Sequence, residues 1–376
     1  MIKAAMVTPN LTLGGAERWL VDLVKHSDPS RVVWTGVAVS SFGGADEHLA
    51  TELAKHTRLV ANKSVNRPAH AKPFFWPAMH EITSPDFRDT VTKACRGADV
   101  VLTWGSPDMG YWFDGFKMPR VTCSHTTLQE NAARPITGIT HLTAVSEVAM
   151  CFFDGRDGSK GLPRHVIYNG ADPGRLVPSK PREQIRAGWK LGPKDVAIGY
   201  LGRQSEEKNP LAPAMAVSVS PKWYHAIYYG FGPSGTDFCE KTRRWCERNI
   251  PGRFQMHRPT PQVGNVLQGL DVLVLASHRE AFSLTLIEAW MSGVPVVATP
   301  VGSIPELEAK YDKLVFRVPI KPHAEELSLA ADLALTPILR DRVRSRAYKL
   351  AQEQFTIRAM VDRWMDYLEA VARGEL

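Results

Sequence analysis

Short apolar runs of strand length alternate with amphipathic helical stretches along nearly the whole chain, and the alternation starts twice. KAAMVTP, GGAERWLVDLVKHS, VVWTGVAVS, DEHLATELAKH, FRDTVTKACRG, ADVVLTW, PRVTCSH, HLTAVS and HVIYNG form the first series. A stretch rich in proline and charge runs from Asp172 to Asp195, and the pattern then restarts with VAIGYLG, WYHAIYYG, RFQMH, DVLVLAS and VPVVAT. Such alternation predicts parallel sheets with helices on both faces, built twice. The length of 376 residues exceeds the usual single-domain size and also asks for two cores. We therefore expect an α/β chain with a Rossmann-like domain over 1–172 and a second over 173–354. The last helical run, FTIRAMVDRWMDYLEAV, within 355–376, is expected to return to the first domain.

Composition removes several classes. No apolar run approaches the ~20 residues that span a bilayer. The opening MIKAAMVTPNLTLGG does not read as a leader, because Pro9 and Asn10 interrupt a short apolar segment. Cys95, Cys123, Cys151, Cys239 and Cys246 are odd in number, widely spaced and without a C-x-x-C, which argues against a zinc ribbon or a disulfide framework and suggests a reducing cytoplasm. The formal charge is +7. Residues 1–172 hold 18 Lys and Arg against 17 Asp and Glu, so the remaining 46−18=28 against 39−17=22 place +6 of it in the second half. Such an excess suits a diphosphate, an inner membrane face touched peripherally, a lipid-linked acceptor or nucleic acid.

HREAFSLTLIEAWMSGVPVV, residues 278–297, places Glu280 and Glu288 eight positions apart across a helix start. Ser283 reads as an N-cap, Leu284 to Met291 as helix, Gly293 as the residue past its end, and Pro295 as a stop. Five residues from Ser283 to Glu288 rise roughly 7 Å, so the carboxylates can bracket the helix N-terminus at two ends of an elongated ligand. The amides of the first turn, Leu284 and Thr285, with the positive end of the helix dipole, suit a phosphate between them. A sugar nucleotide has that layout of sugar, diphosphate and ribose. The plain alternative is a loop glutamate and a solvated helix face.

Two other stretches carry less. Residues 62–80, with Pro68, Pro73 and Pro77 beside Phe74, Phe75 and Trp76, exclude a regular helix and read as a long surface loop or an acceptor-facing lid. Gly230, Gly232 and Gly235 spell G-x-G-x-x-G after a strand, but Pro233 sits inside the turn and no acidic residue ends the next strand. A dinucleotide site is not expected there.

With four segments taken together, the chain resembles a retaining glycosyltransferase of the GT-B fold, family 4, over nearly its whole length. LTLGGAERWLVDLV resembles the family's glycine pair and first helix, VIYNGAD its N-G-x-D, YLGRQSEEKNP its G-R-x(4)-K-N, and EAFSLTLIE its E-x(7)-E signature. Ala281 and Ser283 stand where glycines are commonest in that signature. The resemblance implies two Rossmann-like domains facing each other across a cleft, the first on the acceptor side and the second holding the nucleotide sugar. It also implies residue roles. Arg203 and Lys208 would neutralise the donor's phosphates, Glu288 would accept the ribose hydroxyls, Glu280 would hold the transferred sugar, and Gly14 and Gly15 would let backbone approach closely. His125 in VTCSHTT would hydrogen-bond the hexose near the anomeric carbon.

The implied reaction is sugar transfer from a nucleoside diphosphate sugar to an acceptor hydroxyl with retention, by front-face attack. It needs neither a protein nucleophile nor a resident cofactor. No D-x-D occurs in the chain, so no metal is expected at the diphosphate. Rival readings are a nucleotide-sugar epimerase on the same fold, a non-enzymatic binder, and the same transfer onto modified DNA.

Overall fold

The computed structural model describes residues 1–8, 11, 14–39, 46–61, 85–104, 110–127, 135–230 and 238–376. The expected loop over 62–80 and the glycines Gly232 and Gly235 lie outside those residues. The chain divides into two compact units, Met1–Gly170 with Ile357–Leu376, and Ala171–Thr356.

The first unit is built on β1 (Ile2–Thr8), β2 (Val32–Val39), β3 (Leu59–Ala61), β4 (Val100–Trp104), β5 (Arg120–Ser124), β6 (His141–Ala144) and β7 (Arg164–Val166). All neighbours are parallel, in the order β3-β2-β1-β4-β5-β6-β7. The central strands are apolar throughout because both faces are covered: Ala4 to Val7 and Val100 to Leu102 are fully buried. The helix Ile357–Arg373 belongs to this unit and buries the apolar stripe of its sequence. Its fully buried Trp364 stacks at a tilt on Trp19, centroids 5.3 Å apart, and Arg31 reaches Asp366 at 2.7 Å and Glu369 at 3.0 Å. The buried indoles dominate this packing, since part-exposed ion pairs add at most about 1 kcal/mol.

The second unit is built on β8 (Val196–Leu201), β9 (Tyr224–Tyr229), β10 (Phe254–His257), β11 (Val272–Leu275), β12 (Val296–Ala298) and β13 (Phe316–Arg317), again parallel, in the order β10-β9-β8-β11-β12-β13. Chain order reverses between β8 and β11. In an open parallel sheet, that reversal opens a crevice beyond the carboxyl ends of the two strands. The opposite ends are closed by Asp271, which accepts from Arg182 at 2.6 Å, Arg186 at 2.9 Å and the Ala197 amide at 2.8 Å. The stretch read from sequence only as a charged connection thus contains a helix, Arg182–Gly188, pinned to the start of β8 and β11.

All five cysteines are free thiols. Burial pushes Cys95, Cys123 and Cys246 up to about 12, which leaves them protonated and inert at neutral pH. Among the described residues, no helix is long and apolar enough to cross a membrane.

Candidate functional site

The loops leaving β8 and β11 carry Arg203, Lys208, Glu280 and Ser283, and the structure brings Lys208 and Glu280 together. After β8 the chain passes Gly202 and Arg203 into a single 3-10 turn, Glu206–Lys208, which ends on Asn209 at φ 46°. Asparagine tolerates this left-handed conformation better than most residues, which explains why one follows the lysine. The His278 amide donates to the Glu207 carbonyl at 2.7 Å and ties this turn to the loop leaving β11. The tie brings Lys208 onto Glu280, and their side chains form a hydrogen-bonded ion pair, 24% and 19% exposed. A second constraint comes from Gly302, at φ 63°, whose backbone lies so close to Glu280 that a side chain there would displace it.

Below the turn, the Tyr200 hydroxyl donates to the Arg203 carbonyl at 2.6 Å. Burial, with the Glu280 and Glu207 carboxylates adding to it, pushes this phenol well above its ordinary value, so it stays protonated and supports the loop. Arg203 itself is nearly half exposed and reaches Glu207 of its own turn at 2.9 Å.

Ser283 is the N-cap expected of it: its Oγ accepts from the Leu286 amide at 3.3 Å, ahead of the helix Leu284–Met291. No acidic residue stands in that helix's first turn. The helix ends as its sequence requires, with Gly293 at φ 68° and the Val294 amide donating back to the Ala289 carbonyl at 2.9 Å. Glu288 lies on the helix itself, beside another cation. Its Oε1 lies 3.9 Å from Nη1 of Arg175, a residue the sequence reading passed over. The one available signal was the turn start Asp172-Pro173 just before it, where Asp172 caps the Gly174 amide at 2.8 Å.

Gly14, Gly15 and His125 belong to the first unit. Gly14 is the N-cap of the helix Gly15–His26 in extended backbone at φ −162°, which any residue can adopt. The Glu17 carboxylate folds back into the space where a side chain at Gly14 would stand. Glu17 is 4% exposed, so a buried carboxylate already faces that helix start. This was legible, since Gly14 and Glu17 have the spacing of a capping box. His125 follows β5 and packs between aromatic rings, 4.5 Å from Trp19 and 6.0 Å from Trp104 by centroid. Its Nε2 is shut from solvent without a hydrogen-bond partner among the described residues, and burial pushes its pKa down to about 3. The ring is therefore neutral at pH 7, able to donate or accept a hydrogen bond but not to carry charge.

Gly230 has a packing role of its own, because at φ 150° it closes onto the Gly202 carbonyl where adjacent strands end.

Residues 181–350 match the family model described as glycosyl transferases group 1, a span that includes Arg203, Lys208, Glu280, Ser283 and Glu288. Among curated proteins, D-inositol 3-phosphate glycosyltransferase of Corynebacterium jeikeium is 30% identical over 151 residues, 37% of this chain and 36% of the relative. The lipopolysaccharide core biosynthesis mannosyltransferase LpsB of Rhizobium meliloti is 29% identical over 152 residues, 39% of this chain and 43% of that protein. The chain thus spans less than half the length of these relatives. Among solved structures, HepE of Anabaena in complex with UDP-glucose superposes at a TM-score of 0.78 and 18% identity, over 98% of this chain and 100% of that one. Sucrose-phosphate synthase of Thermosynechococcus elongatus also reaches 0.78, at 17% identity and with all of both chains covered. These likenesses establish the fold as GT-B, an α/β fold of two Rossmann-like units.

Proposed function

We propose that the chain is a glycosyltransferase that takes a nucleoside diphosphate sugar and passes its hexose to an acceptor hydroxyl with retention of configuration. The carrying observation is the Lys208–Glu280 pair, held beside a neutral, serine-capped helix start at the switch point of the second sheet. A cation, a carboxylate and a set of first-turn amides in one crevice match a diphosphate with a sugar on one side. The family-model match over this stretch, and the UDP-glucose bound by HepE, support the reading.

On this reading the donor's phosphates replace Glu280 as the partner of Lys208 and take the amides of Leu284 and Thr285, while Arg203 exchanges Glu207 for phosphate. Glu280, released from the lysine, holds hydroxyls of the sugar near the centre where positive charge develops. Glu288 accepts the ribose hydroxyls. His125, neutral, hydrogen-bonds the hexose, and Gly14 and Gly15 offer close backbone approach. The departing phosphate oxygen takes the acceptor's proton, so no side chain is asked to be a nucleophile. Because cationic side chains and a helix end stabilise the leaving group, we propose that turnover needs no divalent cation. The unit 1–170 serves the acceptor, whose identity we leave as a hydroxyl compound. The transferases among the curated relatives do not favour the epimerase or DNA-acceptor readings.

A panel of nucleoside diphosphate sugars, scored by thermal shift and then by slow donor hydrolysis, finds the donor. Proton NMR of the product then reads the anomeric configuration, and inversion overturns the retaining mechanism. Activity is expected to persist in excess chelator. Loss of activity that magnesium restores would show that the leaving group depends on a metal.

A further inference from the structure

Arg175 stands three residues past the VIYNGAD segment and has no role assigned above, yet its guanidinium places a cation against Glu288, 3.9 Å from Oε1. Its backbone is well fixed. It sits in the 3-10 turn Pro173–Leu176, with Asp172 capping the Gly174 amide at 2.8 Å and the Arg175 amide donating to the Asp172 carbonyl at 3.1 Å. The next residue, Leu176, is 8% exposed, and its carbonyl lies against Gly264 so closely that no side chain fits there. A turn clamped on both sides of Arg175 fixes the point from which its side chain reaches Glu288. At that place Glu288 is 13% exposed, and Arg175 is 32% exposed.

We infer that Arg175 is a positioning residue for Glu288, orienting its carboxylate through Oε1 so that the group meets a diol in one preferred pose. This inference rests on the ribose role proposed for Glu288 and adds a residue to it. An unrestrained glutamate on a helix surface samples several rotamers, and binding a ribose requires one of them. A cation beside one oxygen biases that choice in advance, at the cost of a loose, solvent-screened contact. The effect belongs to binding rather than to the chemical step, because the ribose is bound alike in ground and transition states.

The test is a double-mutant cycle on Arg175→Gln and Glu288→Gln, read by calorimetry with uridine, adenosine and guanosine diphosphates and by donor KM. Arg175→Gln is expected to weaken the best-bound nucleoside diphosphate about two- to fivefold, with kcat unchanged. Arg175→Lys should restore part of the loss. In the Glu288→Gln background, the same change should have an effect below about twofold, because its target is gone. A full, additive loss in that background would show that Arg175 touches the ligand itself or acts elsewhere, and would overturn the positioning role. Undiminished affinity in Arg175→Gln beside a clear loss in Glu288→Gln would overturn it as well. If the unaltered protein binds none of the three nucleotides, the proposed function fails first, and the cycle distinguishes that outcome from failure of this inference. Thermal melting of each variant separates a binding effect from a collapsed turn.

Discussion

Two helix starts in this molecule are singled out by sequence, one for a phosphate and one for close backbone approach to the phosphates or the acceptor, and they differ in what already faces them. At Gly15–His26 in the first unit the cap is a glycine with no side chain to offer, and the buried Glu17 carboxylate folds back over the end. At Leu284–Met291 in the second unit the cap is a serine hydroxyl, no acid stands in the first turn, and the nearby acid Glu280 is neutralised by Lys208. The positive end of a helix dipole accepts one anion favourably. The first unit has supplied its own, and the second has left the place open with a cation beside it. Glycine pairs and helix starts alone do not tell these cases apart; the charge of the third helical residue does.

The largest expected effect tests the open end. Glu280→Gln should depress kcat on the order of a hundredfold, with a smaller rise in donor KM, because a neutral amide cannot stabilise developing positive charge as a carboxylate does. Glu288→Gln should do the reverse, raising KM with a smaller change in kcat. The Lys208–Glu280 pair adds a complication that each variant inherits, since removing one member frees the other. Steady-state kinetics on the two single variants decide the matter. Equal effects of one kind would mean that the two carboxylates act as a unit or that the ligand runs the other way.

Next in size is Lys208→Ala. A charged hydrogen bond to phosphate is worth about 1.5 to 3 kcal/mol, so nucleoside diphosphate affinity should fall roughly ten- to a hundredfold. Calorimetry showing unchanged affinity would remove the cation from the phosphate site. The loss is expected without unfolding, because Lys208 lies on a surface turn held by the Glu207 carbonyl and the Tyr200 hydroxyl rather than by its own side chain.

The parts of this comparison were unequally legible in the sequence. Long apolar runs such as Ile2–Thr8 and Val196–Leu201 announce buried parallel strands, because nothing but burial on both faces accounts for them. The edge strands Leu59–Ala61 and Phe316–Arg317 are too short to carry a pattern, and the sheet rather than the segment decides them. Ser283, the helix after it and Gly293 follow from local chemistry and stand where that chemistry puts them. The pairing of Lys208 with Glu280 depends on two loops meeting across 72 residues, and no local rule contains it. Arg175 was missed for the same reason: its partner is in another element. Glu17 was within reach, and was read as part of a first helix rather than as an anion already in place.

A third test concerns the first unit alone. The folded chain holds His125 down to about 3, against about 6.5 in an unfolded chain. Below about 6.5 the unfolded state therefore binds a proton that the folded state refuses, so this residue lowers stability as pH falls toward 3 and has no such effect above 6.5. The slope it adds is at most about 1.4 kcal/mol per pH unit. His165, His225 and His257 are also held down by burial, so the measurement is the difference between the unaltered chain and His125→Asn, followed by melting temperature from pH 7 to pH 5. The two curves should converge or cross as pH falls. Parallel curves would mean that burial does not hold His125 down and that it titrates alike in the folded and unfolded chain.

The smallest effects bear most directly on the two helix ends. Ser283→Ala removes the hydroxyl that satisfies the Leu286 amide and should cost about 1 kcal/mol of stability in its unit. Glu17→Gln keeps the shape of the side chain and removes only its charge from the dipole, a change of about 0.3 to 1 kcal/mol. For units of this size either loss lowers the melting temperature by roughly 1 to 4 °C, so stability alone does not distinguish the ends. Nucleoside diphosphate binding does. Ser283→Ala disturbs the first turn that the phosphates are proposed to use and should weaken binding by about twofold to fivefold, whereas Glu17→Gln should leave it unchanged. The comparison breaks if the order is reversed. Unchanged binding in Ser283→Ala beside altered binding in Glu17→Gln would take the phosphates away from the serine-capped end. Tighter binding in Glu17→Gln would show that Glu17 had been holding an anion site closed at the glycine-capped end of the first unit.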